Sequence, residues 1–178
     1  MPIKCSIMFD APAEGPSITV CVPVYNVGRY LRECLDSIFL QDYPRFDVVM
    51  VDDGSTDGSG AICDEYAENY SQRAFVVHKD NEGPLLARRD GFARAAGQYV
   101  MCVDSDDMLL PGALSAVAAA VDKTGADVVR FGFTREAGAA GPSVSDFSCE
   151  LYPAGEKPAM LRAICCNTSG SENPMWFK

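Results

Sequence analysis

The sequence predicts an open, mainly parallel α/β sheet flanked by helices. Two observations predict it: β-branched runs alternate with stretches of helical apolar spacing, and the connections between them are short. A third sets the scale, because 178 residues correspond to one domain at roughly 150 residues per domain, with a fragment of something more.

Ser17 to Val24 is a compact β-branched run, and Val27, Tyr30, Leu31, Cys34, Leu35 and Ile38 follow it at helical spacing. Asp47 to Val51 reads as strand, Asp57 to Tyr70 as a helix with Ile62, Tyr66 and Tyr70 on one stripe, and Ala74 to His78 as strand. A helix is expected from Pro84 to Ala96, closed by Gly97, and then a strand from Gln98 to Val103. Pro111 suits the first turn of a further helix with Leu114, Val117, Ala118 and Val121 turned inward, and Asp127 to Phe133 is the next strand. Beyond it, Thr134 to Asp146 reads as a loop rich in Gly, Ala, Ser and Pro, Phe147 to Tyr152 as a short strand, and Glu156 to Cys166 as a helix. The expected organisation is a tail over 1–16, an α/β domain over 17–133, and the start of a further region over 134–178.

Hydrophobic residues make up 48% of the chain and charged residues 22%, close to the globular average, which argues against a disordered or a fibrous chain. The net charge of −10 argues against duplex nucleic acid or an anionic membrane surface as partner, so any anion must be handled locally. Apolar runs such as Ile18 to Val24 are far shorter than the roughly 18 residues of a membrane span, and the first residues lack the pattern of a signal peptide. A cytoplasmic chain is expected. Of the eight cysteines, Cys21, Cys34, Cys63 and Cys102 fall in apolar periodic segments, as reduced cysteines do. There is no C-x-x-C pair, and the adjacent Cys165 and Cys166 suit a shared zinc site poorly.

Ligands of open α/β sheets sit beyond the carboxyl ends of the strands, and those ends are acidic here. Asp52, Asp53, Gly54, Ser55, Thr56, Asp57 follow one strand and Asp104, Ser105, Asp106, Asp107 another. Two carboxylate clusters on one edge repel unless a cation or a set of donors lies between them. The one-residue spacing of Asp104 and Asp106 lets a turn bring both to a single divalent ion. Oxygen ligands select Mg2+ or Mn2+, whose shell is completed by water and phosphate oxygens, so a diphosphate-bearing partner is implied. The alternative is that Asp106 or Asp107 caps the helix near Pro111. Thr56 or Asp57 is able to cap the helix after the first cluster, a task that leaves Asp52 and Asp53 without an account. A carboxylate there is able to accept from the imide N–H of uracil. His78, the only histidine, is read as packing or hydrogen-bonding rather than as a ligand. Arg88 and Arg89 share a helix that follows Lys79, and one arginine facing this edge would answer a phosphate or base. Tyr25 is placed to stack on a base or to close the core.

The segments SITVCVPVYN, VVMVDDGSTDGS and KDNEGPLLARRDGFARAAGQYVMCVDSDDMLLPG resemble, in this order, motifs of the family 2 glycosyltransferases, which have the nucleotide-sugar-binding fold called GT-A. The resemblance covers about Ser17 to Phe133 and implies a nucleoside-diphosphate sugar as donor, a UDP-sugar. By it Tyr25 and Asp53 would contact the nucleoside, with Pro23, Asp52 and Ser105 also on the nucleotide. Arg88 would lie on the base side, and Asp104 with Asp106 would approach the ribose and a metal, Mn2+ or Mg2+, that holds the diphosphate. The family's usual Asn after the arginine is Arg89 here. The implied reaction is inverting, metal-assisted transfer to a saccharide or lipid-linked saccharide in polysaccharide biosynthesis, with the full-length protein cytoplasmic or peripheral at the inner membrane face. The family's catalytic base lies downstream of a segment that PMWFK resembles, and the chain ends at Lys178. The expectation is a donor-binding part with an incomplete acceptor side and no residue nominated as base.

Two rivals carry other chemistry. Asp53, Ser55, Asp57, Gly58 and Asp64 fall on positions 1, 3, 5, 6 and 12 of a calcium loop, but a strand rather than a helix leads into them. An aspartate-nucleophile phosphatase also places D-x-D at a strand end, but Met108 stands where Thr or Val would be wanted.

Overall fold

The computed structural model describes residues 15–129. Strand β1 (Ile18–Val24) lies between β2 (Phe46–Asp52) and β4 (Tyr99–Cys102), β3 (Ala74–His78) lies outside β2, and every pairing is parallel. Helices α1 (Gly28–Phe39), α2 (Ser59–Asn69) and α3 (Pro84–Arg94) connect successive strands, and α4 (Ala113–Thr124) follows β4. All residues of β1 are buried, as a central parallel strand covered on both faces requires.

Side chains alternate between the two faces of a strand. Val20, Val22, Val48 and Met50 join Leu31 and Leu35 of α1, Cys63 and Tyr66 of α2, and Leu114 and Val121 of α4 in the main core. Val49 and Val51 turn the other way and pack on Ala87 of α3. The register places Cys21 beside Val49 on one side and Cys102 on the other. β4 pairs with β1 only as far as Cys21, whose carbonyl accepts from Val103. Pro23, two residues on and facing the same side, therefore removes no ladder hydrogen bond, and the sheet opens between β1 and β4 beyond it.

Three expected boundaries differ. Gly97 is not the stop of α3, which ends at Arg94 with Ala95 extended at φ −62°, ψ 127°. It is instead a close approach: a Cβ there would lie 2.7 Å from the amide nitrogen of Thr19, and its own N–H donates to Thr19 Oγ1. Pro111 lies before α4, which starts after Gly112 at φ 77°, so neither Asp106 nor Asp107 caps it. Of the strand expected over 127–133, residues 127–129 are not strand and the rest lie outside the described residues. So do the loop, strand and helix expected farther on, and the Cys165–Cys166 pair.

Candidate functional site

The order β3-β2-β1-β4 reverses direction at β1, and the crevice between the carboxyl ends of β1 and β4 is the topological switch point. A cavity of about 350 Å³ opens there. The end of β1 supplies Pro23 and Val24 and the residue after it Tyr25, the turn after β2 Asp53, the loop after β3 Asn81 and Gly83, α3 Pro84, Ala87 and Arg88, and the turn after β4 Asp104, Ser105 and Asp106. Seven of the eight residues singled out from sequence thus share one cavity, Asp52 being the eighth. A larger cavity, about 450 Å³, lies at the opposite ends of the strands beside Arg45, Gln98 and Asp122, away from both acidic clusters.

The first two loops hold each other. Asn26 takes the left-handed conformation at φ 52°, which Asn tolerates better than most residues, and its Oδ1 accepts the amide of Thr56 at 2.8 Å. Ser55 Oγ accepts the amide of Asn26, Ser59 Oγ that of Val27, and Asp57 Oδ2 that of Gly28. The entry to α1 is thus held by the loop after β2 and the first residue of α2. Asp57 also accepts from the amide and hydroxyl of Ser59 at the start of α2. These donors, Ser59 first, hold its carboxyl below the ordinary value. Tyr25 is 50% exposed on this scaffold, so it is no core lid.

Asp53, 2% exposed, accepts the amide of Glu82 on Oδ1 at 3.0 Å and that of Gly83 on Oδ2 at 2.8 Å. This shapes the loop that forms one wall of the cavity, with Gly83 at φ 93°. Lys79, largely buried, bridges Asp90 and Glu82 and lies 3.8 Å from Asp53 Oδ1. Asp52 is placed differently: its oxygens receive the amide of Ser55 at 3.0 Å and the ring of His78 at 2.9 Å, beneath the cavity rather than in it. Asp53, Asp57 and Asp64 each turn to a separate partner, so the calcium-loop reading has no common point for its ligands.

Arg88 donates from Nη2 to Asp104 Oδ1 at 2.5 Å, which keeps the guanidinium firmly charged. It engages the β4 end of the cavity rather than Asp53. Arg89 pairs with Asp90 at the surface. Partial desolvation, then the charges of Asp106 and Asp104, push the carboxyl of Asp107 up. That crowding is the environment a cation relieves. Among the described residues no three His, Cys, Asp or Glu side chains form a ready-made metal cage. Two carboxylates with the remaining ligands drawn from water and phosphate is the pattern of Mg2+ and Mn2+, so Asp104 and Asp106 fit such an ion. Sequence reasoning did not single out Asn81, Gly83, Pro84 and Ala87, although the Gly83–Pro84 step before a helix signals a loop with special backbone geometry.

A family model described as "Glycosyl transferase family 2" matches residues 19–146. The chain is 50% identical over 92 residues to the glycosyltransferase GlyA of Streptococcus pneumoniae, covering 52% of this chain and 13% of that one. Its structure resembles that of residues 1–349 of TarS from Staphylococcus aureus in complex with UDP-GlcNAc, with TM-score 0.59, 32% identity, and 71% and 37% of the two chains covered. It also resembles a mannosyltransferase from Pyrobaculum calidifontis in complex with GDP-Man and Mn2+, with TM-score 0.61, 31% identity, and 72% and 39% covered. The fold is therefore of the GT-A type. The chain belongs to glycosyl transferase family 2, and it spans well under two thirds of each of these three relatives. Among the described residues no helix is long and apolar enough to cross a membrane.

Proposed function

We propose that residues 17–133 form the donor-binding domain of a cytoplasmic glycosyltransferase that moves a sugar from a UDP-sugar to an acceptor hydroxyl with inversion. The observation that carries this reading is the convergence of Tyr25, Asp53, Arg88, Asp104, Ser105 and Asp106 on one cavity at the switch point of a family 2 chain. Support for the donor class comes from the UDP-GlcNAc and GDP-Man complexes of its relatives, and for a reducing compartment from the buried free cysteines 21, 34, 63 and 102.

The exposed ring of Tyr25 stacks on the base, and Asp53, fixed by two amides, offers its remaining lone pairs to the uracil imide N–H. The buried Ser105 hydroxyl serves the ribose side. Arg88 orients Asp104 and contributes positive charge to the diphosphate side. Asp104 and Asp106 would hold Mn2+ or Mg2+, which when bound supplies Lewis-acid stabilisation of the departing diphosphate. Transfer is a single displacement: an acceptor oxygen bonds the anomeric carbon on one face while the bond to the diphosphate oxygen breaks on the other. The acceptor, a saccharide or lipid-linked saccharide, gives its proton to a base that we assign to no residue between 15 and 129.

Calorimetry of UDP with this chain tests the reading. Binding in Mn2+ or Mg2+ that weakens at least tenfold in excess chelator is expected, with GDP weaker than UDP. Equal UDP affinity with and without chelator would remove the role given to Asp104 and Asp106.

A further inference from the structure

Both ring nitrogens of His78 face carboxylates: Nδ1 lies 2.9 Å from Asp52 Oδ2 and Nε2 lies 2.9 Å from Asp64 Oδ1. A neutral imidazole has one N–H and one lone pair, so it satisfies one contact and turns a lone pair on an anion in the other. The imidazolium satisfies both. α2 covers one side of the ring, where a Cβ on Gly60 would lie 2.6 Å from Asp52 Oδ2 and 3.5 Å from His78 Cε1, while the His78 side chain stays about half exposed on the other. Register puts Asp52 and His78 side by side on β2 and β3. The other oxygen of Asp52 fixes the turn through the Ser55 amide, and the Asp52 carbonyl accepts from Lys79. The next residue is Asp53, whose carboxylate shapes the cavity wall.

We propose that His78 is a positioning residue for the nucleotide site: as an imidazolium held between Asp52 and Asp64 it locks the turn that carries Asp53, so nucleotide binding is linked to a proton on a ring outside the cavity. The proposal rests on the reading of that cavity as a nucleotide site. Asp64 first and Asp52 second hold His78 above its ordinary 6.5. The other groups nearby do not compete for this proton. Cys63 of α2, beside Asp52 and Asp64, is pushed up to about 12, mainly by burial, and stays a thiol. Lys79 is taken up by Asp90, Glu82 and Asp53. The clamp is therefore complete below about pH 6.5 and is lost as pH rises through the raised value, where one contact turns repulsive.

His78 is the only histidine among the 178 residues, so its ring Cε1–H titrates without overlap in proton NMR of the untagged chain. The titration is run without ligand and with saturating UDP and Mg2+, beside UDP calorimetry over the same pH range. We expect a midpoint above 6.5 in the free protein and a further rise of roughly half a pH unit with UDP, matched by an affinity loss of about threefold toward high pH, as reciprocal linkage requires. Asp64→Asn should lower the free midpoint. His78→Gln should flatten the pH profile, and the titration of the UDP phosphate, common to both proteins, cancels in the comparison. A midpoint that saturating UDP leaves unmoved overturns the proposal and spares the nucleotide reading. Failure of UDP to bind at any pH overturns both.

Discussion

Helix α3 carries Arg88 into the cavity, and its distance from the sheet is set at Gly91. A Cβ built there would lie 2.0 Å from Cys21 Sγ and 3.3 Å from Val51 Cγ2. Unstrained contacts between such atoms need about 3.5–4.0 Å, so Gly91→Ala demands a movement of roughly 1.5 Å from the helix or the sulfur. Cys21 is fully buried on the strand between β2 and β4, so the sulfur cannot turn out to solvent. Replacing glycine by alanine inside a helix gains up to about 1 kcal/mol from propensity, whereas overpacking a core costs about 1–3 kcal/mol. A contact this short belongs at the upper end, so the expected net loss is about 1–2 kcal/mol in urea unfolding. Because Arg88 lies three residues earlier on α3, lifting the helix should also weaken UDP binding several-fold. The double variant Cys21→Ala, Gly91→Ala, in which the sulfur is gone, should recover most of both losses relative to Cys21→Ala alone. A Gly91→Ala protein as stable as the parent, or no coupling between the two substitutions, would refute this account of how α3 is seated.

Asp53→Asn should weaken UDP binding by about 1–3 kcal/mol, the usual worth of a hydrogen bond to a charged group, and should speed amide exchange at Glu82 and Gly83, whose N–H groups it now receives. Unchanged exchange at those two amides would show that Asp53 does not hold the loop. Asp57, depressed from its ordinary 3.8 by Ser59 and Gly28, contributes stability that is present above that value and lost as pH falls through its folded value. The stability difference between the parent and Asp57→Asn should therefore close between about pH 5 and pH 2, and a difference that persists in acid would count against the capping of α1 by this side chain.

The strands and the buried faces of the helices were legible because apolar periodicity is a local property: Leu31, Cys34, Leu35 and Ile38 mark the inner face of α1 whatever surrounds it. Helix ends were less so, since their caps came from elsewhere in the chain. Asp57 reads as the cap of its own helix, yet it also closes α1, which lies about thirty residues earlier. A glycine in sequence does not reveal which demand it meets, and Gly97 serves a close approach to Thr19 where a helix stop was expected. Asp52 and Asp53 are the same residue type at adjacent positions and were grouped for that reason. Strand alternation separates them: Asp52 continues the face of Val48 and Met50 toward α2 and His78, and Asp53 continues that of Val49 and Val51 toward α3 and the cavity. Parity and the pairing of Asp52 with His78 held that distinction, but using it required the β2–β3 register, which no single strand contains.

That distinction also decides where the acidic edge has charge to offer. Three carboxylates line the cavity, and two are already answered: Asp53 by two backbone amides, Asp104 by Arg88 on Oδ1. Asp106 is exposed and receives no hydrogen bond or ion pair from the described residues. A diphosphate approaching alone would meet this uncompensated carboxylate in a protein of net charge −10, with Arg88 as the nearest opposing charge in the cavity. On the proposed reading, a divalent ion bound with the diphosphate would supply the positive charge that reverses this repulsion. Asp106 and Asp104 would hold such an ion, and the hydrogen bond from Arg88 to Oδ1 of Asp104 would orient that carboxylate for it.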